Sequence, residues 1–198
     1  MLFVLVGFNA NSQDTIALTN GKIIISQNTK IGEKSVRYEL IKKNGKVKKP
    51  NFLDFSEVFA VSWHDSTETI IYKPNNEIWD YSDFTIEEMR MFIYGQQDAK
   101  AYYKAHWWTI TSFAVGAGTG YLLYDQIYVA GVPFVLTVGS GVLPANFKDG
   151  DEVNPFYKKE EAYQLGYMKA MKNRRIFNTL AGSILGTLAG VSVGYVTE

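Results

Sequence analysis

The 198-residue chain contains no cysteine. That excludes a disulfide framework, a thiol nucleophile, a thiolate zinc site and a lipid-modified cysteine. Histidine is nearly absent: His64 and His106 stand alone, without the companion ligands that a metal centre or a catalytic histidine needs. Net charge is missing too. Lysine plus arginine and aspartate plus glutamate balance at 20 each, so no overall field favours nucleic acid or anionic substrates. The signatures Gly-x-Ser-x-Gly, His-Glu-x-x-His and Gly-x-x-x-x-Gly-Lys-Ser/Thr do not occur. Gly116-Ala117-Gly118-Thr119-Gly120 resembles a nucleotide loop only superficially, since it lacks the lysine and sits within an apolar stretch. The carboxylate pairs Asp54/Glu57 and Glu87/Glu88 are what any polar surface offers. The expectation is a chain that is not an enzyme, with no catalytic residue, no metal site, no cofactor and no nucleic-acid partner.

What the sequence does contain is a sharp segregation of charge. Asp125 is the only formal charge in residues 107–147, and residues 176–197 carry none. Inside that last run Gly182, Gly186, Gly190 and Gly194 recur at a spacing of four. Residues four apart share a helix face, so the four glycines form a strip without side chains. A run of this length suits a transmembrane helix, which needs about 20 residues. The strip lets a second helix approach closely where no hydrophobic force drives association. The competing reading is a buried, glycine-rich helix of a soluble protein. Against it, each interior glycine costs about 1 kcal/mol of helix propensity.

Taken in order, residues 1–12 are apolar and end in Ala10-Asn11-Ser12 before Gln13-Asp14. They read either as the back half of a signal peptide cleaved after Ser12, without its basic start, or as a short buried strand. Residues 13–83 predict a small antiparallel β unit of about five or six strands, curled into a half-barrel. Asn20-Gly21 and Asn44-Gly45 are its tight turns, and residues 54–57 form a single helical turn. The lysines Lys42, Lys43, Lys46, Lys48 and Lys49 read as a solvated hairpin tip, or as a phosphate contact. Residues 84–106 predict an amphipathic helix opened by a capping box, Thr85 with Glu88. Tyr102, Tyr103, Trp107 and Trp108 form an aromatic membrane-interface belt.

Residues 107–146 then predict an apolar helical hairpin, spanning or re-entrant. Gly116 and Gly120 are its helix-packing pair, Asp125 lies in its turn, and Pro133 sits in the first turns of the second helix or kinks it. Residues 147–175 predict a polar loop and an amphipathic helix, and residues 176–198 the final glycine-faced helix. The fold class expected is α+β: the β unit followed by long helices, about three of them membrane-spanning.

Two cues disagree on orientation. Lys100, Lys104 and residues 169–175 would place the β unit in the cytoplasm by the positive-inside rule, whereas a signal peptide would export it. The start Ser12-Gln13-Asp14-Thr15-Ile16, followed by Leu18-Thr19-Asn20-Gly21-Lys22, resembles the mature start of small exported membrane proteins of the Bacteroidota. Tyr94-Gly95-Gln96-Gln97-Asp98-Ala99 and residues 163–172 before the glycine run extend the resemblance over most of the chain. It implies a cell-envelope location, with the β unit periplasmic, and no activity. The last run also resembles glycine-zipper segments of bacterial envelope proteins. Two functions are therefore expected. One is a membrane-anchored module whose β unit binds an envelope protein, with membrane lipid and self-association through the glycine faces as further contacts. The other is a glycine-zipper oligomer that forms a pore or perturbs the bilayer.

Overall fold

The structure, a computed structural model, describes residues 13–40, 49–75, 81, 83–145, 147 and 155–197. Residues 1–12, with the signal-peptide reading, lie outside the described residues. So do the Asn44-Gly45 turn and Lys42, Lys43, Lys46 and Lys48. The fold is α+β, six strands followed by four helices, and the chain divides into two compact units, Met1–Met89 and Arg90–Glu198.

The first unit is one antiparallel sheet. Its strands are β1 (Asp14–Leu18), β2 (Ile23–Ile31), β3 (Ser35–Glu39), β4 (Asn51–Asp54), β5 (Val58–Ser62) and β6 (Glu68–Ile70), in the order β4-β3-β2-β1-β5-β6. Asn20-Gly21 turns β1 into β2. Gly21 takes φ 73°, which a glycine adopts without strain, and the Leu18 N–H closes on the Lys22 carbonyl. Alternation along β1 buries Asp14, Ile16 and Leu18, and Ile16, Val36, Val58 and Val61 form the fully covered core. Asp14 is buried but not idle. Its carboxylate accepts from the Thr29 and His64 backbone N–H groups, at 3.4 and 3.3 Å. The first of these holds the bulge at which Asn28 takes φ 52°.

The sheet must curl. Only the 3-10 turn Phe55–Glu57 separates β4 from β5, although β3, β2 and β1 lie between them. In a flat sheet that separation is ~19 Å, four strand spacings. The four residue steps from Asp54 to Val58 reach at most ~14 Å. Asp54 caps the turn by accepting from the Ser56 N–H at 2.9 Å, and that hydrogen bond is the main reason its carboxyl is held below the usual aspartate range.

The second unit is helical. Helix α1 (Ile86–Tyr102) begins at the end of the first unit and continues into it. Its capping box is complete: the Thr85 N–H and hydroxyl both donate to Glu88 Oε2 at 2.7 Å, and the Glu88 N–H donates back to Thr85 Oγ1 at 3.2 Å. Helix α2 (His106–Leu122) follows, then a 3-10 turn (Ile127–Gly131), helix α3 (Val132–Val142) and helix α4 (Glu161–Thr197). Pro133 sits in the first turn of α3, where its missing N–H costs nothing. Asp125 is exposed in the turn after α2.

The expectation of about three membrane helices is corrected: the described residues hold one helix that is long and apolar enough to span, not three. Among the described residues, only α4 is both long and apolar enough to cross a bilayer. Its 37 residues extend ~55 Å. Helix α2 has 17 residues, ~26 Å, and α3 only 11, ~16 Å, against a hydrocarbon core of ~30 Å. Two features shorten the second apolar run: a 3-10 start over Ile127–Gly131, and an extended Leu143 that ends α3. The polar, aromatic helix expected before the glycine run feeds into it without a break, because no proline interrupts residues 161–197.

Candidate functional site

Helix α4 is the axis of the second unit, and glycine decides what can lie against it. A methyl group added at Gly182 would fall on the Ser112 hydroxyl and the Thr109 carbonyl; at Gly186, on the Phe113 carbonyl; at Gly190, on the Ala117 carbonyl. At Gly194 it would meet the Tyr124 ring at 2.6 Å. From the other side, a methyl at Gly116 would lie 2.7 Å from the Ser183 carbonyl, and one at Gly120 2.5 Å from that of Thr187. Five of these glycines thus form one continuous contact between α2 and α4, within a single chain, and Gly194 extends it to the turn after α2. Contact positions rise together along both helices, so the two run parallel. The same device recurs nearer the start of α4. Gly166 lies on the Phe92 carbonyl and Gly95 on the Tyr163 carbonyl, and the contacts of Asp98 with Tyr163 and of Tyr103 with Arg174 rise together, which makes α1 parallel to α4 as well. Helix α3 runs antiparallel, with Gly141 against Ile176 and Leu143 at Arg175.

What these helices bury changes halfway along α4. Before Arg174 the interior is that of a water-soluble protein. Phe92, Ile93, Ala99, Tyr163, Tyr167 and Ala170 are buried, and Phe147 packs edge-on against Tyr167 at 5.3 Å. The Tyr163 hydroxyl donates to Asp98 at 2.6 Å. After Arg175 the arrangement reverses. The buried residues are Ser112, Gly116, Gly120, Ser140, Thr179, Gly182, Ser183, Gly186, Thr187, Gly190 and Gly194. Large apolar side chains point outward instead: Phe134 is 71% exposed, Val142 78%, Phe177 70% and Leu185 60%. Water-soluble folds bury Leu, Ile, Val and Phe first, and this half buries almost none of them.

Arg174 and Arg175 mark the reversal, and each satisfies a helix end. The last carbonyls of a helix have no partner within it and carry its negative dipole end. Arg174 donates to the carbonyls of Lys100 (2.7 Å) and Tyr103 (2.8 Å) as α1 ends. Arg175 donates to the carbonyls of Leu143 and Pro144 as α3 ends. Its guanidinium also lies over the Trp108 ring, 5.1 Å from the centroid. Arg175 is 6% exposed, and its Nε has no hydrogen-bond partner among the described residues.

Hydroxyls inside an apolar helix are ordinarily satisfied by the carbonyl three or four residues back. Thr111, Ser112, Thr119, Thr137, Ser140, Ser183, Ser192 and Thr197 all bond in this way. Two buried hydroxyls do not, those of Thr179 and Thr187. Thr187 Oγ1 lies against the bare backbone at Gly116. Thr179 instead lines a pocket of about 390 Å³ between α2, α3 and α4, with Trp108, Ser112, Val115, Val135, Gly139 and Ser140 among its walls.

The expected belt residues gather at the level of the arginines, with Tyr102 and Trp107 exposed and Tyr103 and Trp108 half-buried. A second aromatic group lies at the far end, where Tyr124 and Tyr195 meet edge-on at 5.3 Å and Tyr121 and Tyr128 are exposed. From Arg175 to Tyr195 the helix rises ~30 Å. Gly95 in mid-helix reads as a place for another helix to lie close, but the sequence did not assign α4 as that helix, nor the caps formed by Arg174 and Arg175, nor the buried hydroxyls. One signal was available: Ser183 and Thr187 follow Gly182 and Gly186 by one residue, on the same face. Among the described residues no group of three or more His, Asp or Glu side chains could hold a metal ion. No protein-family model, curated protein or solved structure matches the chain.

Proposed function

We propose that this chain is a membrane-anchored module of the bacterial cell envelope, with the curled sheet as its binding head and the helices after Arg175 as its anchor. The observation that carries the reading is the reversal of packing along α4. Small and hydroxyl-bearing residues lie inside and large apolar ones outside, the arrangement that lipid favours. The ~30 Å between Arg175 and Tyr195 equals the hydrocarbon thickness, and aromatic side chains cluster at both ends of that stretch. The envelope location rests on the N-terminal pattern and the Bacteroidota resemblance given above.

The head supports binding rather than catalysis. Ile23, Ile25, Phe52 and Ile70 are exposed on the sheet. Ile23 and Ile70 fall in one cross-strand row through Ala17 and Ala60. Ala60 within that row is buried, so the exposed side chains of Ile23, Ile25 and Phe52 are what suits an envelope protein partner. The pore-forming alternative loses its motivating surface, because Gly182, Gly186 and Gly190 already face α2 of the same chain and Gly194 faces Tyr124 just after it. Self-association, if used, would need another face.

Cell fractionation with an alkaline wash tests the reading. The protein should stay in the membrane pellet, with the head open to protease only after the outer permeability barrier is breached. Release of the folded protein by the wash would refute it.

A further inference from the structure

We infer that the pocket between α2, α3 and α4 holds one acyl chain of an anionic phospholipid. The inference rests on the membrane reading above and names a ligand for its anchor. Three observations carry it.

The first is the cavity. At about 390 Å³ it falls within the range of ligand sites. Its walls are mostly apolar, and it lies among outward-facing Val115, Val135 and Phe134, the surface that lipid would cover. Gly139 lines it, and a Cβ added there would meet nothing.

The second is an unspent hydrogen-bond donor. Thr179 is 3% exposed, lines the pocket and has no partner for its hydroxyl. Every neighbouring hydroxyl on the pocket wall, Thr111, Ser112 and Ser140, is satisfied by its own helix. A hydroxyl left free where no water enters is costly. The ester carbonyl at the head of an acyl chain is an acceptor of the right kind.

The third is charge. Arg175 lies one turn before Thr179, over the same Trp108 ring that lines the pocket. Along the chain, exposed Lys104 lies four residues before Trp108, and exposed Lys172 and Arg174 lie within three residues of Arg175. A cation group of this kind, at the level where an apolar helix begins, attracts an anionic headgroup. The acyl chain then fills the pocket, its ester accepts from Thr179, and the phosphate faces the cations.

The test uses full-length protein with Trp108 as its only tryptophan, the other three replaced by phenylalanine. It is reconstituted in phosphatidylcholine vesicles containing one lipid in ten with brominated acyl chains, and recovered by flotation. Brominated phosphatidylglycerol should quench Trp108 with about fivefold enrichment over brominated phosphatidylcholine, the factor expected of one basic side chain acting on an anionic headgroup. Gly139→Leu, which fills the pocket without a clash at its Cβ, should abolish the enrichment. Thr179→Val should weaken quenching by both brominated lipids while the protein still floats. Equal quenching by both headgroups, or enrichment that survives Gly139→Leu, overturns the inference and leaves the membrane reading intact. Quenching by a brominated free fatty acid that phosphatidylglycerol does not displace also overturns it, in favour of a single-chain ligand. Failure to float removes the membrane reading and this inference with it.

Discussion

Replacing Gly186 by alanine sets two known effects against each other. Helix propensity favours alanine by up to ~1 kcal/mol. Packing opposes it. The new methyl falls on the Phe113 carbonyl of α2, which must withdraw by about 1.3 Å to restore ordinary contact. Backbone cannot rotate aside as a side chain can, so α2 and α4 would have to separate along the whole strip. Overpacking of this kind costs ~1–3 kcal/mol, and the net loss should be ~1–2 kcal/mol. Gly118 supplies the control. It lies in the same apolar stretch on α2, but a Cβ there meets nothing within 4 Å. Gly118→Ala should therefore leave stability unchanged or raise it by up to ~1 kcal/mol. Unfolding in mixed micelles, followed by far-ultraviolet circular dichroism against the mole fraction of denaturing detergent, measures both. Should Gly186→Ala prove as stable as Gly118→Ala, the close α2–α4 contact is wrong.

Arg175→Met keeps much of the volume but leaves the Leu143 and Pro144 carbonyls without their donor, a loss of ~2 kcal/mol. Arg174→Met, at a more exposed helix end, should cost ~1 kcal/mol in the same assay. Hydrogen bonds from Thr85, backbone first and then side chain, hold the Glu88 carboxyl below the usual glutamate range. A carboxyl lowered on folding stabilises above its unfolded pKa, and that stability is lost as pH falls through its folded value. The gap between wild type and Glu88→Gln should therefore be open at neutral pH and close in acid, as followed by unfolding across a pH series. Gly21→Val puts a β-branched residue at φ 73° and should cost ~1–3 kcal/mol by thermal unfolding. The double change Ile23→Lys and Ile25→Lys should leave the sheet folded, because both side chains are exposed, yet abolish co-purification of a head-binding partner.

Local chemistry is what the sequence announced well. Asn20-Gly21, the turn at residues 54–57, and Thr85 with Glu88 are short patterns whose partners lie within a few residues, and each took the expected form. The spans were harder, because apolarity alone does not fix helix length. Residues 127–143 look like one span, but open in a 3-10 turn. The glycines announced a close contact without saying with what. Periodicity gives a face, and only the fold supplies its partner, here α2 of the same chain. The arginine caps were illegible because each joins residues more than 30 positions apart. The pocket was illegible for the same reason: it needs three helices at once.

The central claim is that α4 leaves water at Arg174 and Arg175. The absence of cysteine permits a clean test. Single cysteines at Asn173, Leu185 and Leu188, all exposed on α4, can be reacted with a membrane-impermeant maleimide in sealed vesicles that present the head outward. Asn173→Cys should label fully, while Leu185→Cys and Leu188→Cys stay unlabelled until detergent is added. Equal labelling of all three in intact vesicles would contradict the account.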